Sequence, residues 1–107
     1  LEDKLIDYLV AFEALFFKEG ETGEFRHKLS MRVSRFLEQD YDKRRAAAER
    51  IGDFYDKRSK VVHGEKVELK RDDIIAVENY LRKSIRLFLD RLPGSNHNDI
   101  ISRLDLQ

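Results

Sequence analysis

The sequence contains no cysteine and no tryptophan, and Pro93 is its only proline in 107 residues. Without cysteine, the chain cannot form disulfides, bind a metal through thiolates or use a thiol nucleophile. This composition fits a reducing compartment, so we expect a cytoplasmic protein. The longest apolar stretch, Tyr8 to Phe17, is interrupted by Glu13 and is too short to cross a bilayer, so no membrane association is expected.

The net charge is zero, but the charges are unevenly distributed along the chain. Residues 1–25 carry two basic and seven acidic side chains, whereas residues 26–60 carry eleven basic and six acidic ones. A basic middle segment can attract phosphate, although two oppositely charged solvated faces that attract each other would give the same pattern. The candidate contacts to an RNA backbone are Lys43, Arg44, Arg45 and Lys60, and solvated surface is the alternative for the cluster at 43–45.

Apolar residues recur at helical spacing between a few separated glycines, which predicts an all-α fold. The predicted helices are Leu1–Lys18, Glu24–Glu38, a third that is capped by Asp40 or Asp42 and ends near His63, and a fourth that is capped by Asp72 and ends near Leu92. Gly64 is expected to close the third helix in the left-handed conformation. Short connections between them indicate an antiparallel four-helix bundle over residues 1–92. Residues 93–107 are predicted to be a C-terminal tail, in which residues 99–106 could add one short helix.

Two charged residues interrupt apolar helix faces. Arg58 falls in the middle of the stripe that Ile51 and Phe54 begin on the third helix, and Glu13 lies within the apolar face of the first. Because a charge on a buried face is costly unless it is paired, we expect Glu13 to lie close to Arg58, or to Arg32 at the edge of the second helix's stripe. Arginine can alternatively extend its long side chain to solvent.

Three segments resemble HEPN domains, the higher-eukaryote and prokaryote nucleotide-binding superfamily, and look most similar to its ApeA-like branch. The segment Phe54–Gly64, which contains Arg58-Ser-Lys-Val-Val-His63, resembles the HEPN motif region. Residues 10–16 look like the first-helix signature of that branch, and residues 24–33 look like the second. The three occur in family order, so the resemblance covers roughly residues 8–92.

Many HEPN proteins are metal-independent endoribonucleases that act as dimers, with the Arg and His of each subunit meeting at the twofold axis. The resemblance therefore implies that Arg58 and His63 are the catalytic pair, with Glu13 as a supporting acid. Ser59, next to Arg58, and Arg32, at the edge of the second helix's stripe, are further candidate supporting residues. RNA supplies its own nucleophile, the 2′-hydroxyl. An imidazole can transfer the proton near neutral pH, and a guanidinium can neutralise the developing phosphorane. We expect a 2′,3′-cyclic phosphate product and no metal or cofactor.

On a regular helix, His63 lies about 140° around the axis from Arg58. The two side chains could share a cleft if the helix unwinds near Gly64, or if the cleft lies between two chains. The apolar circumference of helix 1 over residues 8–17 favours a second copy, although deep burial within one chain is the alternative. The expected partners are thus RNA and an identical subunit.

Catalytic HEPN motifs often carry Asn, Asp or His directly after the arginine, whereas this chain has Ser59. The leading hypothesis is a dimeric ribonuclease domain, an effector module of a larger microbial protein in stress or phage defence. The second is a non-catalytic HEPN module that dimerises or binds RNA. The third is a helical protein-interaction module unrelated to nucleic acid.

Overall fold

The computed structural model describes residues 1–107 and confirms the predicted all-α class, with five helices and no strand. The helices are α1 (Glu2–Phe16), α2 (Phe25–Leu37), α3 (Tyr41–Val62), α4 (Arg71–Arg91) and α5 (His97–Asp105). They form one helical bundle with a radius of gyration of 13.6 Å, as expected for a single domain of this length. None of the five is both long enough and apolar enough to span a bilayer.

The core is centred on three phenylalanine rings from three helices. The Phe16 ring lies 5.5 Å from that of Phe36 and 5.3 Å from that of Phe88, and the Phe36 and Phe88 rings are 4.5 Å apart. The core face of α1 has the spacing that places side chains on one side of a helix, and its buried residues are Leu5, Leu9, Phe12 and Phe16. Burial of this face orients α1 and leaves Glu13 at the boundary of the core.

The predicted helical turns in the C-terminal tail are present as α5. This helix begins after Asn96, whose side chain accepts a hydrogen bond from the Asp99 N–H at 2.9 Å. Ile100, Ile101 and Leu104 are buried in the same hydrophobic cluster as the residues of α1 to α4. Residues 93–107 therefore contribute to the core of the first four helices.

The relative directions of the helices differ from those of a fully antiparallel bundle. Only residues 38–40 separate α2 from α3, and Arg26 near the start of α2 pairs with Asp56 near the end of α3 at 2.9 Å, so these two helices are antiparallel. In contrast, Tyr8 of α1 lies beside Glu78 of α4, and Phe16 packs against Phe88. From the first of these contacts to the second, residue numbers increase along both helices, so α1 and α4 run parallel to each other.

Both ends of α3 are closed by local interactions that the sequence predicts. The Asp40 side chain accepts a hydrogen bond from the Lys43 N–H at 3.0 Å, so Asp40 and not Asp42 caps the helix. At the other end Gly64 has φ +79°, and its N–H donates to the Val61 carbonyl at 3.0 Å. The Glu65 N–H donates to the Lys60 carbonyl at 2.9 Å, which completes a Schellman closure.

The prediction that Asp72 caps α4 is wrong, because the N-cap residue is Lys70. The helix begins at Arg71, so Asp72 lies within its first turn. The neighbouring Asp73 instead closes the start, because its carboxylate accepts a hydrogen bond from the Lys70 N–H at 3.1 Å. That bond, followed by the nearby Lys57 and Arg50, lowers the pKa of Asp73 below its ordinary value.

Candidate functional site

Arg58 and Glu13 form a hydrogen-bonded ion pair between α3 and α1. Arg58 Nη2 donates to Glu13 Oε1, so the structure selects Arg58 from the two partners predicted for Glu13. The side chains are 17% and 33% exposed, respectively, which places the pair at the surface edge of the core. An ion pair at such a boundary avoids most of the desolvation cost of a fully buried one.

Tyr55, one turn before Arg58 on α3, also orients the guanidinium. The Arg58 guanidinium carbon lies 5.0 Å from the centroid of the Tyr55 ring, within the range of a cation–π contact. The other nitrogens of Arg58 have no protein partner, and no buried side-chain polar atom of the chain lacks one. These donors are therefore open to solvent. Tyr55 was not predicted as a site residue from the sequence, although its i, i+3 spacing to Arg58 indicates that the two side chains are neighbours.

His63 is exposed at the C-terminal end of α3, and its imidazole forms no hydrogen bond with Arg58. Its backbone N–H donates to the Ser59 carbonyl at 3.1 Å, which keeps His63 in helical register. The helix is thus regular up to His63 and does not unwind before Gly64. The two side chains are therefore separated by about 7.5 Å along the helix axis and about 140° around it, so they do not meet within one chain.

Of the predicted supporting residues, Ser59 directly follows Arg58 on α3, whereas Arg32 lies elsewhere. Ser59 is half-buried. Arg32 is 2% exposed and binds the carboxylates of Glu21, at 2.7 and 2.8 Å, and Asp105, at 2.9 and 3.0 Å. It also donates to the Phe16 carbonyl at 2.9 Å. Arg32 therefore joins the α1–α2 loop to the end of α5 and does not contact Glu13.

The Arg32 network shifts the pKa values of its members. Burial disfavours the charged guanidinium, but the hydrogen bonds that Arg32 donates to Glu21 and Asp105 outweigh it and raise the pKa of Arg32. The hydrogen bonds of Arg32, against an opposing effect of burial, lower the pKa of Glu21 from 4.5 to about 2. These shifts identify a cross-link that ties the C-terminal helix to the rest of the bundle.

The predicted RNA-contacting residues occupy the two ends of α3. Lys43, Arg44 and Arg45 lie in its first turns, whereas Lys60 lies near its end. Arg45 and Lys60 are fifteen positions apart, which is about 22 Å of helix, so the four cannot form one compact patch. Each end instead borders a separate cleft.

The lysine cleft, at the end of α3, has a volume of about 410 Å³. It is lined by Lys57, Lys60, Lys66, Val67, Glu68, Lys70 and Asp73. Asp73 already faces Lys57 at 3.7 Å and Arg50 at 3.8 Å. The cleft therefore combines an excess of positive charge with two carboxylates of its own.

The arginine cleft, between α2 and the start of α3, has a volume of about 290 Å³. It is lined by His27, Ser30, Met31, Ser34, Arg35, Tyr41, Arg44, Arg45 and Ala48. No carboxylate is among these residues. Arg44 and Arg45 were predicted from the sequence, whereas Arg35 and Tyr41 were not, because the cleft forms only when α2 and α3 pack together.

Two exposed valines lie one turn from the Arg58–Glu13 pair. Val10, three residues before Glu13 on α1, is 54% exposed, and Val62, four residues after Arg58 on α3, is 61% exposed. These two valines and the ion pair are the candidate surface, and His63 follows Val62 at the end of α3 but faces another direction.

No three or more His, Asp or Glu side chains are grouped where they could hold a metal ion.

No protein-family model, curated protein or solved structure matches the chain.

Proposed function

We propose that the chain is a HEPN domain of the ApeA-like branch that acts on RNA as a metal-independent endoribonuclease built from two copies. In this proposal, α1 to α4 are the four-helix HEPN core and α5 is its C-terminal extension. The observation that carries the proposal is the state of Arg58. Its guanidinium is held by Glu13 and Tyr55, yet it keeps unpartnered donors open to solvent at the edge of the core.

An arginine in this state suits a developing phosphorane. It remains cationic when partly desolvated, and its planar fork can donate two hydrogen bonds to a phosphate. Glu13 and Tyr55 restrict the side chain before the substrate arrives, so less entropy is lost when the phosphate binds. Glu13 and Tyr55 are positioning residues in this scheme, and Arg58 is the catalytic one.

His63 supplies the proton transfer in the proposed reaction. One imidazole removes the proton of the 2′-hydroxyl, the hydroxyl oxygen attacks the adjacent phosphorus, and the bond from phosphorus to the 5′-oxygen breaks. A protonated imidazole delivers the proton to the leaving 5′-oxygen. The products are a 2′,3′-cyclic phosphate and a 5′-hydroxyl, and two imidazoles, one from each copy, can share the two proton transfers.

The proposed reaction requires a second copy of the chain, because Arg58 and His63 face different directions on one regular helix. The candidate surface supports such a dimer: Val10 and Val62 are exposed apolar side chains beside the ion pair. A twofold axis passing near the end of α3 would bring the Arg58 of one copy toward the His63 of the other.

A second candidate function is a HEPN module that dimerises or binds RNA without cleaving it. One specific observation favours it: Arg58 already has a carboxylate partner, so its charge is partly satisfied without any phosphate. Ser59 in place of the Asn, Asp or His often found in catalytic motifs points the same way. In this alternative, Arg58 is a structural residue.

The experiment that separates the two functions is incubation of the purified protein with mixed-sequence RNA in EDTA, followed by analysis of the product ends. Catalysis predicts cyclic-phosphate ends that disappear in both Arg58→Ala and His63→Ala. Glu13→Gln should reduce the rate and leave measurable turnover, because it removes a positioning group only. Arg86→Gln, on the exposed face of α4, serves as the matched control and should cleave normally.

Thermal unfolding of each variant distinguishes lost chemistry from lost structure. Arg58→Ala leaves Glu13 without its partner, so Arg58→Lys, which retains the charge and loses the planar fork, provides a second test. Cleavage that persists in His63→Ala would refute the proposed catalysis. RNA binding without any cyclic-phosphate product from the wild-type protein would favour the non-catalytic module.

A further inference from the structure

The arginine cleft contains two partly buried arginines that no carboxylate neutralises. Arg35 donates from Nη1 to the Leu104 carbonyl at 2.8 Å, and Arg44 donates from Nε to the Glu38 carbonyl at 3.0 Å. Neither forms an ion pair with an acidic side chain. A neutral carbonyl orients a guanidinium without cancelling its charge, so each arginine keeps a net positive charge that an anion can meet.

The remaining donors of both arginines are available to a ligand. Arg35 has two nitrogens without a protein partner, and so does Arg44, while no buried polar side-chain atom in the chain is unsatisfied. Those nitrogens are therefore accessible from outside. An oriented guanidinium with two free donors is the group that binds phosphate oxygens in pairs. Two of them on one cleft, with no competing acid in its lining, indicate an anionic ligand.

The rest of the cleft fits the base of a nucleotide. Tyr41, the first residue of α3, is 73% exposed, so its ring faces solvent at the edge of the cleft. Met31 and Ala48 add apolar surface to the lining, and Arg45 adds charge at the rim, where Glu49 lies 3.5 Å away. An exposed aromatic ring beside phosphate-binding arginines is a common arrangement for stacking an unpaired base.

The lysine cleft is the weaker candidate for a nucleotide. It has no aromatic side chain, and Glu68 and Asp73 in its lining oppose an anion. Lysine also binds phosphate as a point charge without the directional fork of arginine. The arginine cleft is therefore the site that these observations favour.

We propose that the arginine cleft is a subsite for one nucleotide of a single-stranded RNA, with the phosphate on Arg35 and Arg44 and the base stacked on Tyr41. This inference rests on the proposed function for its choice of RNA. The cleft volume of about 290 Å³ holds a single nucleotide, so the neighbouring nucleotides lie outside it. Arg44 and Arg58 are about 21 Å apart along α3, so a strand several nucleotides long reaches both.

The test is fluorescence anisotropy with a short labelled single-stranded RNA of mixed sequence, in a His63→Ala background that does not consume the RNA. Tyr41→Ala should weaken binding by about fivefold or more, whereas Tyr41→Phe, which keeps the ring, should bind like the parent. Arg35→Gln and Arg44→Gln should each weaken binding. The Arg35→Gln/Arg44→Gln double variant, which loses the shared phosphate contact, should make the slope of log Kobs against log salt shallower by about 0.7, the value for one phosphate contact on a single strand.

Three further measurements make the test specific. Arg86→Gln, an exposed arginine outside the cleft, should leave both the affinity and the salt slope nearly unchanged. Arg44→Lys keeps the charge and should recover only part of the affinity, because it lacks the fork. Thermal unfolding checks the two glutamine variants, since Arg35 and Arg44 each hold a backbone carbonyl. The exposed Tyr41 carries no such risk.

The outcomes separate this inference from the proposed catalysis. If the cleft variants bind RNA with the parent's affinity and salt slope, or if the parent binds no RNA at low salt, the inference is overturned, whatever the cleavage assay shows. If binding depends on the cleft and the wild-type protein makes no cyclic phosphate, the catalysis fails and the inference stands. Adenosine monophosphate that competes as strongly as the strand would overturn the choice of a strand over a free nucleotide.

Discussion

Neutralising Glu21 should destabilise the protein strongly at neutral pH and hardly at all in acid. The perturbation is Glu21→Gln, which keeps the size of the side chain and removes its charge. The Glu21 carboxylate accepts hydrogen bonds from both Nη atoms of Arg32, at 2.7 and 2.8 Å, and its side chain is only 13% exposed. It also accepts from the Lys18 N–H at 3.0 Å and pairs with Lys28 at 3.1 Å.

The magnitude follows from the pKa of Glu21. The hydrogen bonds of Arg32 lower this pKa in the folded protein from 4.5 to about 2. Each pKa unit corresponds to 1.36 kcal/mol of differential interaction, so the ionised carboxylate stabilises the fold by about 3 kcal/mol. Because the folded pKa is the lower one, this contribution is complete well above pH 4.5 and is lost as the pH falls toward 2.

The assay is urea unfolding of the wild-type protein and Glu21→Gln at several pH values from neutral to strongly acidic. The difference in free energy of unfolding should be about 3 kcal/mol at neutral pH and should shrink toward zero near pH 2. Glu49→Gln is the matched control, because Glu49 is 70% exposed in its ion pair with Arg45 and should contribute at most about 1 kcal/mol. A Glu21→Gln difference that stays below about 1 kcal/mol, or that does not change with pH, would refute the reasoning.

Two other substitutions test the candidate surface and the end of α3. Val62→Glu should convert the proposed dimer to a monomer with little change in thermal stability, since Val62 is 61% exposed. Size-exclusion chromatography with light scattering measures the change in oligomeric state. A dimer that is broken by Leu89→Glu on α4 but not by Val62→Glu would place the interface elsewhere. Gly64→Ala should cost about 1–2 kcal/mol in urea unfolding, because Gly64 has φ +79° and an L-residue is strained there. Gly94→Ala, at a glycine without positive φ, should be nearly neutral, and equal effects of the two alanines would contradict the assigned strain.

The site could be predicted only where a local sequence pattern required a partner on another helix. Glu13 and Arg58 each interrupt an apolar stripe, and a charge in such a position requires a partner, so their pairing could be inferred without coordinates. The sequence could not choose between Arg58 and Arg32. Arg32 is not the partner of Glu13 because it donates its hydrogen bonds to Glu21 and Asp105, which are 11 and 73 residues away in the sequence.

The helices themselves are largely determined by the sequence, because helix signals are short-range. Apolar spacing, the Asp40 cap and the left-handed Gly64 all act within a few residues and were predicted. Where two adjacent residues carry the same signal, as Asp72 and Asp73 do at the start of α4, the sequence cannot select one. Backbone geometry then decides which carboxylate reaches the free N–H.

Only the tertiary structure decided the importance of α5 and the existence of the arginine cleft. A nine-residue helix is marginal on its own, so its periodicity is a weak signal, and its stability comes from burying Ile100, Ile101 and Leu104. Arg35 and Tyr41 lie on different helices, and nothing in their local sequence relates them. They line one cleft because α2 and α3 fold back on each other, and packing of that kind depends on the whole core at once.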